Sequence, residues 1–162
     1  MACFIALALA PAQTSAEPEG KSAPPAEAGS ADVPPGSPMS WPKGTGGGPR
    51  LIWTGFQMTA GGSRLYLQTT ADVELAVRPG KGGLTITLQN CRIHMRNAAR
   101  PLDTSFFRTP VKMVSVHQRK KDIEVAVALR EAADSTPRKQ AGPNGSQFWI
   151  LDFPQPKSPK TP

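Results

Sequence analysis

An apolar run, a polar opener, a loop and a closing strand occur twice along this chain. In the first copy the run 51–58 precedes Gly61-Gly62-Ser63-Arg64-Leu65-Tyr66-Leu67-Gln68-Thr69-Thr70, and the copy closes on Leu84-Thr85-Ile86-Thr87-Leu88. In the second, the run 111–117 precedes Lys120-Lys121-Asp122-Ile123-Glu124-Val125-Ala126-Val127-Ala128-Leu129, and the closing strand is Phe148-Trp149-Ile150-Leu151-Asp152-Phe153. A repeated strand–turn–strand unit predicts one all-β domain, a β-sandwich of two similar small antiparallel sheets.

Period-two alternation then assigns the faces. Leu65 and Leu67 alternate with Tyr66 and Gln68, and Leu84, Ile86 and Leu88 alternate with Thr85 and Thr87. The predicted core is Leu65, Leu67, Leu75, Val77, Leu84, Ile86, Leu88, Val125, Val127, Phe148 and Ile150. Pro79-Gly80-Lys81-Gly82-Gly83 marks a turn between the strands 73–78 and 84–88. Residues 91–110 lose the alternation, and Pro101 and Pro110 limit any helix, so a short helix or irregular crossover joins the two units. The charged run 130–146, with Pro137, Pro143 and Asn144-Gly145, predicts mostly loop.

Composition divides the rest of the chain. Residues 1–49 hold 9 of the 18 prolines and 7 of the 15 glycines, a stretch that cannot bury enough apolar surface to offset its ordering entropy. The expected organisation is a signal peptide over 1–16, a disordered linker over 17–49, a folded domain over 50–153 and a disordered tail over 154–162. The signal reading rests on the apolar run 2–10 and the small residues Thr14-Ser15-Ala16, although no Lys or Arg precedes the run. That run is too short to span a bilayer. The segment predicts export, with the periplasm or cell envelope as the expected location. Cys91 would then be the lone cysteine of the mature chain, a small buried hydrophobe with no disulfide partner.

The chain carries a net charge of +7. Residues 79–121 hold nine basic residues against one acid, Asp103. Such a surface attracts anions, and the series Arg92, Arg96, Arg100, Arg108 and Lys112 is the candidate binding set. Arginine suits bidentate capture of carboxylates. Nucleic acid is the competing anion, but aromatic residues that could stack on bases are few and sit in strands, so no nucleic-acid partner is expected. Catalytic chemistry finds no constellation. Ser63 lies in a predicted hairpin turn, and Asp103, Glu124 and Asp152 fall on different elements. Cys91-Arg92-Ile93-His94 has a C-x-x-H spacing, with His117 as a possible third ligand, but no second close pair completes a zinc site. The reading is a binding module with no enzyme activity, metal or cofactor.

The order of these pieces resembles the AMIN domain, a module of N-acetylmuramoyl-L-alanine amidases and type IV pilus secretins. The resemblance is carried by Gly61-Gly62-Ser63-Arg64-Leu65-Tyr66-Leu67, Gly83-Leu84-Thr85-Ile86-Thr87-Leu88, Pro110-Val111-Lys112-Met113-Val114-Ser115-Val116 and Phe148-Trp149-Ile150-Leu151-Asp152-Phe153, over residues 51–153. It implies a sandwich of two symmetrical sheets, export, and attachment to peptidoglycan, here by a module standing alone behind its leader. The alternative partner is a secretin or pilus assembly, engaged through an exposed strand edge; cytosolic nucleic-acid binding ranks below both. The second opener departs from the pattern, with Arg119-Lys120-Lys121-Asp122 where glycines are usual. The long polar run 130–146 predicts that loop replaces part of the second unit's closing hairpin.

Overall fold

The computed structural model describes residues 34–38 and 47–155. The expected signal peptide, most of the linker and the tail beyond 155 lie outside the described residues. Ten strands occur among the described residues: β1 Arg50–Thr59, β2 Gly62–Thr69, β3 Leu75–Gly80, β4 Gly83–Leu88, β5 Arg92–Ile93, β6 Leu102–Asp103, β7 Val111–Arg119, β8 Asp122–Leu129, β9 Pro137–Ala141 and β10 Gln147–Pro154. They form two five-stranded sheets, in the orders β5-β1-β2-β10-β9 and β3-β4-β8-β7-β6. Every pairing is antiparallel except β1 with β5.

The two units exchange hairpins. Hairpin β1–β2 of the first unit joins hairpin β9–β10 of the second through the β2/β10 ladder. Hairpins β3–β4 and β7–β8 join through β4/β8 to make the other sheet. Neither unit builds a sheet of its own, so the sandwich closes only when both copies are folded. The repeat extends to irregularities: β1 is bulged between Leu51 and Trp53, and β7 between Val111 and Met113. Those are the same positions in the two copies.

Between the sheets lies one core that includes Leu51, Leu65, Leu67, Ile86, Leu88, Ile123, Val125, Val127, Leu151 and Phe153, each no more than 2% exposed. In β4 and β8 buried residues alternate with partly exposed ones, as the sequence predicts. Leu75 and Val77 are half-buried and pack against this core from the sheet's edge.

Two expectations are corrected. Phe148 and Ile150 are buried, but on the opposite face of their sheet, with Tyr66 and the partly buried Trp53. It is Trp149, Leu151 and Phe153 that face the interior. Alternation cannot choose a face when both sets are apolar, and β10 is apolar on both. The outer cluster is possible because Gly55 has no side chain: a Cβ there would meet the Trp53 ring at 1.9 Å. The indole therefore lies across the strand, its centroid 6.3 Å from that of Tyr66. Tyr66 donates its hydroxyl to Gln57 Oε1 at 3.0 Å.

Residues 130–146 are mostly loop as expected, and the second correction concerns only the closing hairpin within them. Residues 137–141 form β9, paired with β10 from Pro137↔Leu151 to Ala141↔Gln147. The closing hairpin of the second unit is therefore present. Its polarity is that of an edge strand, where Pro and Lys are tolerated on the unpaired side.

Candidate ligand-binding surface

The crossover from β4 to β7 runs along the side of the sandwich whose edges are β5 and β6. Its backbone is held from both sheets. After β4 the chain turns through Asn90, at φ 49°, whose N–H donates to Asp122 Oδ1 at 2.8 Å. The Gln118 side chain of β7 then clamps the segment: its Nε2 donates to the Cys91 carbonyl at 3.1 Å, and its Oε1 accepts from Ile93 N–H at 2.9 Å. Both neighbours of Arg92 are fixed while Arg92 itself stays exposed.

A 3₁₀ turn, Arg96–Ala99, follows, with Ala98 buried against the core. Thr54 of β1 donates its hydroxyl to the Ala98 carbonyl at 2.9 Å. Arg96 and Arg100 begin and follow this turn, and both are exposed. Beyond β6, the loop 104–110 is anchored by buried threonines. Thr104 donates its hydroxyl to the Val111 carbonyl at 2.7 Å, and the Thr109 and Ser63 hydroxyls lie 2.6 Å apart. Arg130, from the loop after β8, donates to the carbonyls of Ser105 and Phe107. Arg108 lies in this loop and Lys112 at the β7 bulge; both are exposed.

The five candidate residues thus lie on the crossover and its flanks, between the edge of one sheet and the edge of the other. Among the described residues none of the five forms an ion pair. Some basic residues elsewhere are paired. Arg64 and Arg138 both meet Asp152, at 2.6 and 3.0 Å, and Lys139 meets Asp72 at 2.6 Å. Lys139 also lies 5.3 Å over the Trp149 ring. The acid expected among the basic set, Asp103, is occupied locally. The Ser105 hydroxyl and backbone N–H hold its carboxyl below the usual range, with Arg130 and Lys112 adding weaker attraction.

Two residues that shape this surface were not legible in the sequence. Gln118 reads as a solvent-facing strand residue, and Arg130 as part of a charged loop. The only hint of Phe106-Phe107 was an apolar pair among basic residues. The C-x-x-H spacing does not assemble a site. Cys91 is buried in the core, where desolvation pushes its thiol up to about 11, and His117 is exposed on β7 opposite Glu124. Among the described residues, no three His, Cys, Asp or Glu side chains gather to hold a metal ion.

A family model for the AMIN domain matches residues 55–153. No curated protein matches the chain.

Proposed function

The chain belongs to the AMIN domain family, and from that premise we propose that it is a non-catalytic module that attaches to peptidoglycan in the cell envelope. AMIN domains are periplasmic peptidoglycan-binding modules of amidases and secretins. The observation that supports the reading here is the set of exposed, unpaired cations on the crossover: Arg92, Arg96, Arg100, Arg108 and Lys112. Peptidoglycan stem peptides carry free carboxylates, and guanidinium groups take carboxylates in paired hydrogen bonds. A cation with no internal acid to leave gives up little when such a ligand arrives. Among the described residues, no helix is long and apolar enough to cross a membrane.

The competing reading is docking on a secretin or pilus assembly through a strand edge. The free edges on the far side of the sandwich are β3 and β9. Both carry proline next to basic residues, Arg78-Pro79 in one and Pro137-Arg138-Lys139 in the other, which blunts an edge against strand addition.

The test is retention on purified sacculi. Exposed charge contacts are individually weak, at about 0–1 kcal/mol each, so the informative variant replaces all five residues with Gln. Retention falls clearly, the β signature in circular dichroism is unchanged, and added salt weakens the wild type in the same direction. Retention equal to wild type removes the electrostatic mechanism and turns attention to the strand edges.

A further inference from the structure

Phe106 is 88% exposed, the most exposed of the large apolar side chains among the described residues. Exposure of this kind is ordinary on a floppy loop, but this loop is built. Thr104 and Thr109 are buried and hydrogen-bonded, and the Thr104 N–H donates to the Lys112 carbonyl at 3.1 Å. Ser105 N–H donates to Asp103 Oδ1 at 2.9 Å, and Arg130 ties the Ser105 and Phe107 carbonyls from the opposite side. Phe107 stacks on Phe56, centroids 6.2 Å apart. One phenyl ring is thus tied back to the domain while its neighbour is presented to solvent on a fixed backbone. Arg108 follows two residues later, and Lys112 lies on the strand that the loop enters.

We propose that Phe106 is a stacking platform for a pyranose ring of the glycan strand, beside the cations that take the carboxylates of the attached peptides. The proposal rests on the peptidoglycan reading and deepens it. An aromatic face carries partial negative charge, and the axial C–H groups of a sugar ring present partial positive charge to it. Arg108 and Lys112 add charge complementarity to an anionic glycopeptide. A lipid surface is a poorer match, because Phe106 and the half-exposed Phe107 together offer too little apolar area for stable anchoring. A protein hot spot is also a poorer match, because such residues sit in a packed, desolvated patch, whereas Arg108 and Lys112 are both exposed.

The experiment compares wild type, Phe106→Ala and Phe106→Trp on intact sacculi, on glycan strands stripped of peptide by an amidase, and on vesicles of anionic phospholipid. Phe106 is exposed, so both variants fold. Phe106→Ala lowers sacculus retention about threefold to tenfold, the range for one aromatic stack. Phe106→Trp restores it, and the deficit persists in high salt and on stripped glycan. Equal retention of Phe106→Ala and wild type overturns the platform and leaves the peptidoglycan reading standing. A deficit that disappears on stripped glycan assigns Phe106 to peptide contact and also overturns it. So does a Phe106-dependent loss confined to vesicles. A wild type that sacculi do not retain at all removes the peptidoglycan reading, and the platform with it.

Discussion

Adjacent glycines Gly61 and Gly62 give a direct test of how this fold is held, because they are alike in sequence and unlike in surroundings. Gly61 sits in the β1–β2 turn, and a Cβ added there meets nothing within 4 Å. Gly62 has φ +149° and opens β2 opposite Pro154 of β10. A Cβ at Gly62 would lie 2.0 Å from the Phe153 carbonyl oxygen and 2.9 Å from the Pro154 carbonyl carbon. Ordinary contact begins at 3.4 Å, and the obstacle is backbone, which no rotamer change can clear. The β2/β10 ladder, which among the described residues is the only seam joining the two hairpins of that sheet, must open at this end. Left-handed backbone strain costs about 1–2 kcal/mol and overpacking about 1–3 kcal/mol, so Gly62→Ala loses about 2–5 kcal/mol. A domain of this size has about 5–15 kcal/mol to lose. Gly61→Ala changes stability little, or gains up to about 1 kcal/mol through the unfolded chain. Urea unfolding followed by far-ultraviolet circular dichroism gives both values. Equal stabilities for the two variants, or Gly62→Ala within about 0.5 kcal/mol of wild type, would refute the reasoning.

Two further outcomes follow from local geometry. Lys120, in the β7–β8 turn, holds φ 53° without being glycine or asparagine, so Lys120→Gly should stabilise by about 0.5–1 kcal/mol, and a lower urea midpoint would contradict that. Burial pushes the Asp152 carboxyl up, but hydrogen bonds from Arg138 and Arg64 outweigh it and hold the carboxyl below the usual range. A carboxyl depressed in the folded state stabilises above its unfolded value, near about 3.9, and that contribution is lost as pH falls through the folded value. The pair is partly exposed, so the effect is about 0–1 kcal/mol. Melting temperature should therefore fall less steeply below about pH 4 in Asp152→Asn than in wild type, with Asp103 supplying part of the remaining slope. Parallel profiles would mean that the bridge contributes nothing.

What the sequence determined by itself was local: strand class, most strand positions, the turns, and which side chains alternate. Leu84, Ile86 and Leu88 could be placed in the core from spacing alone, because Thr85 and Thr87 between them leave one apolar face. The basic crossover was likewise legible as an excess of charge. Three things required the tertiary structure. Alternation says which residues lie opposite one another in a strand, but not which sheet a strand joins, so the exchange of hairpins between the two units was invisible. It could not orient β10, where Phe148 and Ile150 compete with Trp149, Leu151 and Phe153, nor identify β9, whose polar residues are those of an edge. Most of all, charge counted along a chain does not reveal pairing. Arg64, Arg138 and Lys139 look no different in sequence from Arg92, Arg96 and Arg100, yet they face Asp152 and Asp72 across distances of many residues. Whether a cation is already satisfied depends on contacts between segments far apart in the chain, and only the folded structure brings those segments together.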